Sequence, residues 1–288
     1  MSRVKQNVLM MRENEMKRIL VLLISIVMLT FMLTGCTEQA GENMSDDERF
    51  IANLEKGLEA RWALTESEEY NNEKMESAST AQLQKADRLF VESELDAIGD
   101  LADYEFEDTE IKQLAEKYMK GLQLQKEGVQ YQGTTEYTKQ QQTWDLGYYY
   151  RIICISELHD KYGLTVNSRY KQVFEDCIAE VVTAKKAVAV QEFVDKLSAT
   201  IEYSLDYEKS DEWDTCYTAI INNTTDYEID SLEIDVDFLD ANGVVVYQTA
   251  DYLSNIKPGS KIKSSIYYYE DITGGFDRMD IKVSAWCD

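Results

Sequence analysis

The hydrophobic period changes once along this chain, and that change limits what it can fold into. Up to about residue 198, apolar residues recur at three- and four-residue spacing; from Ala199 they alternate. The first pattern sets one face of a helix on a core, the second one face of a strand. Helices followed by strands predict an α+β fold.

Five amphipathic stretches make up the helical part. "DDERFIANLEKGLEARWALT" lines up Phe50, Leu54, Leu58 and Trp62, with acids in its first turn where the helix dipole favours them. A second runs near Ser79–Leu101, a third follows a capping Asp108, and a fourth covers Tyr137–Tyr162 with Gly163 as its stop. The fifth begins near Asn167 or Ser168 and reaches about Leu197. Mostly short connections between them predict an antiparallel helical bundle over residues 48–198.

Residues 199–288 read as strands. "TIEYSLDY" sets Ile201, Tyr203, Leu205 and Tyr207 on one face, and "SLEIDVDF" sets Leu232, Ile234, Val236 and Phe238 there. Turn signals at Asn222-Asn223, Asn242-Gly243, Pro258-Gly259 and Gly274-Gly275 separate about six strands, the pattern of a small antiparallel β-sandwich.

Ahead of both parts lies an uncharged run, Ile19–Leu33, preceded by Lys17 and Arg18. Its 15 residues are fewer than the ~20 a bilayer-spanning helix needs. A basic start, a short apolar middle and small residues before a cut form a secretion signal. Leu33-Thr34-Gly35-Cys36 resembles the lipobox of bacterial lipoproteins. That resemblance implies cleavage before Cys36 and a diacylglycerol on its sulfur, with Leu33, Thr34 and Gly35 recognised by the signal peptidase. The alternative is an uncleaved signal anchor with an incidental cysteine. Met16 fits the true start, leaving residues 1–15 as an upstream extension of the 1–35 signal peptide. Residues 36–47 are then a lipidated cysteine and a flexible tether of some ~20 Å reach. The expected location is the cell membrane, lipid-anchored and facing outside the cytoplasm.

The charge agrees with anchoring by lipid and not by a basic patch. The chain has 54 acidic and 29 basic residues, net −25. Without residues 1–35, which hold five basic and two acidic residues, 24 basic and 52 acidic remain, net −28. Such a surface repels nucleic acid and anionic headgroups, so no nucleic-acid partner is expected.

The stretch "VDFLDANGVVVYQTADYLSNIKPGSKIKSSIYY" resembles the FxLYD domain of bacterial extracytoplasmic proteins. Val236-Asp237-Phe238-Leu239-Asp240 stands at the family's Phe-x-Leu-Tyr-Asp, and Asp240 alone matches outright. The resemblance covers about residues 200–288 and implies an immunoglobulin-like fold on an exported protein, with no general catalytic activity. The helical half resembles Gram-positive lipoprotein ectodomains in general layout only.

Chemistry-bearing residues are few. The sole histidine, His159, stands near a helix end, where a dipole-bound imidazole serves as well as a catalytic one. One histidine and no Cys-x-x-Cys pair leave no zinc pattern, and no nucleotide fingerprint is present, so no cofactor or metal is expected. Asp235, Asp237, Asp240 and Asn242 offer hard oxygen ligands. Val244 and Val245, however, fall where a calcium loop counted from Asp240 needs a ligand and a glycine. Alternation makes the acids the outer face of one strand.

Besides Cys36, four cysteines remain. Cys154 and Cys177 are equidistant from the "GLTVNS" turn, so an antiparallel hairpin would set them level for a disulfide. Cys216 and Cys287 fall on the second and last expected strands, which pair them if those strands are neighbours. The alternative is four buried free thiols. Nineteen tyrosines suit a core, or an aromatic platform for glycans or proteins. The chain thus reads as a non-enzymatic envelope lipoprotein whose partner, beyond the membrane itself, is an envelope protein or a glycan. The alternative is an envelope or polysaccharide hydrolase using paired carboxylates.

Overall fold

Ser45 starts the first helix with a reciprocal cap. Its Oγ accepts the Glu48 N–H at 3.2 Å, and the Glu48 carboxylate accepts the Ser45 N–H at 3.0 Å. The structure, a computed structural model, describes residues 44–269 and 275–286. The signal peptide, the lipobox and Cys36 lie outside the described residues, as do Gly274 and Cys287.

Seven α-helices among the described residues precede six strands. They are α1 (Asp46–Thr65), α2 (Asn72–Glu76), α3 (Thr80–Ile98), α4 (Thr109–Tyr131), α5 (Tyr137–Tyr162), α6 (Lys171–Ala179) and α7 (Val181–Thr200). The strands are β1 (Ser204–Leu205), β2 (Thr215–Asn222), β3 (Ile229–Leu239), β4 (Val245–Ile256), β5 (Lys261–Tyr268) and β6 (Arg278–Trp286). They form two antiparallel sheets, ordered β1-β2-β5 and β4-β3-β6. The fold is therefore α+β. No helix among the described residues is long and apolar enough to cross a membrane.

Local signals set the helix ends. The Asp108 carboxylate accepts the Glu110 and Ile111 N–H groups at 2.7 and 3.3 Å, and Gly163, at φ 74°, closes α5 in the left-handed region. Phe50, Leu54, Leu58, Tyr118, Leu122 and Leu158 fill the helical core. The expected fifth helix is instead split at Glu180. Phe174 of α6 stays with the helical core, while α7 spans two cores: Ala184 and Val188 pack with Ile152 and Ile153 of α5, and Val190, Phe193 and Val194 join the strands. The β-branched run Val181-Val182-Thr183 sits just after the break, where continued helix is least favoured.

In the sheets the alternation holds for β3, whose Leu232, Ile234, Val236 and Phe238 are all fully buried. The Phe238 ring meets those of Tyr217, Tyr247 and Tyr268 at a tilt and that of Phe276 edge-on, with centroids 4.7–6.1 Å apart. The first expected strand shrinks to Ser204–Leu205. Ile201 and Tyr203 pack against the sheet core, but Leu205 and Tyr207 are exposed, because β1 is an edge strand whose pairing stops after Tyr217 and Thr218 of β2.

The expected Cys154–Cys177 disulfide is not formed, and Cys287 of the other expected pair lies outside the described residues. Cys154, Cys177 and Cys216 are free thiols. α6 is a short helix after a 3-10 turn and does not run level with α5, so Cys177 is engaged by Tyr148, nearly two turns before Cys154. Burial pushes the Cys154 thiol up to about 12, the mark of an inert buried sulfur. β2 and β6 lie in different sheets, and the residue opposite Cys216 is Tyr267.

Candidate functional site

α5 is apolar or buried nearly all round from Tyr150 to Leu158, as befits a helix covered on two sides by α4 and α7. Its approach to α4 is unusually close. A Cβ on Gly147 would stand 2.5 Å from the Gly121 carbonyl oxygen, so only glycine fits. Behind that crossing lies a buried charge network. Glu94 of α3 accepts from Arg61 of α1 at 2.8 Å, from Arg151 of α5 at 2.6 Å, and from Tyr118 of α4. The Gln125 carbonyl accepts from both arginines, at 3.2 and 3.1 Å. Burial alone would raise the Glu94 carboxyl, but Arg151 and Arg61 hold it below the ordinary value. Four helices are thereby fixed in register around one carboxylate.

This anchoring leaves the N-terminal half of α5 as one wall of a groove of about 390 Å³. Thr138, Gln141, Gln142, Asp145 and Tyr149 follow helical spacing on that wall. The facing wall is the Thr183, Lys186, Ala187, Val190, Gln191 stripe of α7, and Ala285 and Trp286 at the end of β6 close one side. Two bonds tie α7 to the sheet beneath: Lys186 to Asp230 at 3.4 Å, and the Val283 N–H to Ser198 Oγ at 3.2 Å. Asp145 is half-buried, and its desolvation raises the carboxyl above its ordinary value against a hydrogen bond from Gln141. Tyr149 is raised as well, by burial and then by Asp145 and Glu180.

The residues singled out in the sequence fall elsewhere. His159 Nδ1 lies 2.7 Å from the Leu164 carbonyl and its ring meets Phe174 edge-on, a packed end of α5. Asp240 accepts the Asn242 and Val244 N–H groups at 2.9 and 2.8 Å and closes the β3–β4 turn. Asp235 and Asp237 stay on the outer face of β3, where Gln248 donates to Asp237 at 2.6 Å. The four oxygen donors thus serve different tasks, and no metal-binding group forms among the described residues. In "IYYYED", Tyr268 is the core residue and Tyr267 is exposed. Among the described residues that line the groove, Asp145 is the one carboxylate. The network of Arg61, Glu94, Gln125 and Arg151 was not legible beforehand; its nearest signal is the pair of mid-helix glycines, Gly121 and Gly147. No family model, curated protein or solved structure matches this chain.

Proposed function

We propose that this chain is a lipid-anchored, extracytoplasmic binding protein without catalytic activity, held to the outer face of the cell membrane through Cys36. The observation that carries the reading is the coincidence of Leu33-Thr34-Gly35-Cys36 with the end of a 15-residue apolar run and the start of a polar tether. The first helix, capped at Ser45, begins at Asp46, within the last residues of the expected tether. Under this reading the helices act as a bundle, and the two sheets as an immunoglobulin-like sandwich of the FxLYD kind. Two features support the latter. Phe238 of the motif centres an aromatic cluster, and Asp240, its one outright match, caps the hairpin turn. The envelope partner is a protein or a glycan. Labelled palmitate is expected to enter the wild-type protein and not a Cys36→Ala variant; equal labelling of both removes the lipoprotein reading.

A further inference from the structure

We infer that the groove between α5, α7 and β6 is a binding site for an uncharged oligosaccharide. The inference rests on the reading of the exported part as a binding module, and not on the lipid. Five of the lining residues carry groups that both donate and accept: the amides of Gln141, Gln142 and Gln191 and the hydroxyls of Thr138 and Thr183. A sugar hydroxyl does the same, so one face of a pyranose ring can be met at each position without leaving a buried group unpaired. Tyr149 and Trp286 add two aromatic faces for the apolar C–H faces of sugar rings, and Trp286 is 48% exposed at the groove's end. Together these give a cleft with a few convergent polar groups and aromatic walls, at a volume in the ~300–1,000 Å³ range of small-ligand sites.

The charges exclude other ligand classes. The cation lining the groove, Lys186, is paired with Asp230, and Asp145 stands opposite, so a phosphate, uronate or sulfate would meet a carboxylate within a net-negative chain. A peptide is held by strand addition or by deep pockets for apolar anchors. Here the aliphatic lining among the described residues is Leu146, Val190 and two alanines, interrupted by amides.

The test uses the full chain in micelles of a detergent without a sugar headgroup, titrated calorimetrically with chitotetraose, cellotetraose and mannotetraose, and with tetraalanine and inorganic phosphate. At least one neutral tetrasaccharide should bind at millimolar concentration or below. Trp286→Ala should weaken that binding by about tenfold, as removal of an aromatic anchor does. Gln142→Ala, at an exposed position with no packing to lose, should weaken it with an unchanged thermal melt. Tyr252→Ala, a 68% exposed ring on β4 outside the groove, should leave it unchanged. Absence of binding by all three sugars, binding of tetraalanine or phosphate instead, or sugar binding indifferent to both groove variants overturns the inference. New reducing ends during titration would keep the site but overturn the non-catalytic reading. Failure of palmitate labelling would leave the site intact.

Discussion

Glu94 is ionised with none of its surface in water, and its worth lies in what it prevents. Arg151 is 4% exposed and Arg61 9%, so removing the carboxylate strands two guanidinium groups inside the helical core. Glu94→Ala is expected to cost about 3–5 kcal/mol in chemical denaturation. A combined apolar replacement of Glu94, Arg61 and Arg151 should cost less than that single change. The pH dependence follows from the direction of the shift. Because the folded-state carboxyl is held below its ordinary 4.5, its contribution is fully present above that value and disappears as pH falls through the lower folded value. Acid titration of the wild type against Glu94→Gln should show that extra loss only in the wild type. Nothing in "FVESELDAI" marks Glu94 as buried, since an acid in an amphipathic helix ordinarily faces water. Asp108 and Gly163, by contrast, were legible, because a cap is a contact between residues two to four apart.

At the scale of elements, the α4–α5 crossing is set by what is missing from Gly121 and Gly147. Gly147→Ala gains up to about 1 kcal/mol in helix propensity but drives a methyl into the Gly121 carbonyl and the Gln125 backbone. The overlap should win, for a net loss of roughly 1–3 kcal/mol seen as a lower denaturation midpoint. Gly128→Ala, where the nearest contacts stand at 3.2 Å, should cost clearly less. The bounds of α5 were legible to the residue because Gly163 stops it locally. The split of the fifth helix into α6 and α7 was not, because its cause lies in two cores separated along the chain. The first strand was overestimated for the same reason. Alternation at residues 201–207 states which side could be buried, and only the neighbouring strand decides how far pairing runs.

Across the whole molecule, α7 is shared property. Its first half packs on α5 and its second half completes the core of both sheets. Helices and strands should therefore unfold together, and the far-ultraviolet and near-ultraviolet signals are expected to follow one cooperative thermal transition. Two resolved transitions would show that the sheets hold without α7. The α+β class was legible from the change of period at Ala199, yet the groove was not, because its walls come from residues 138–149, 183–191 and 285–286. No local pattern links segments that far apart. The shared helix also bears on how such a gene can change. A recombination breakpoint at the change of period, the natural seam between two repeats or two domains, would hand the strands to a new neighbour without Val190, Phe193 and Val194 beneath them. The helices would inherit an orphaned apolar face. Descent should therefore carry the two halves as one heritable piece, with new pairings arising only where the joint lies before Val181.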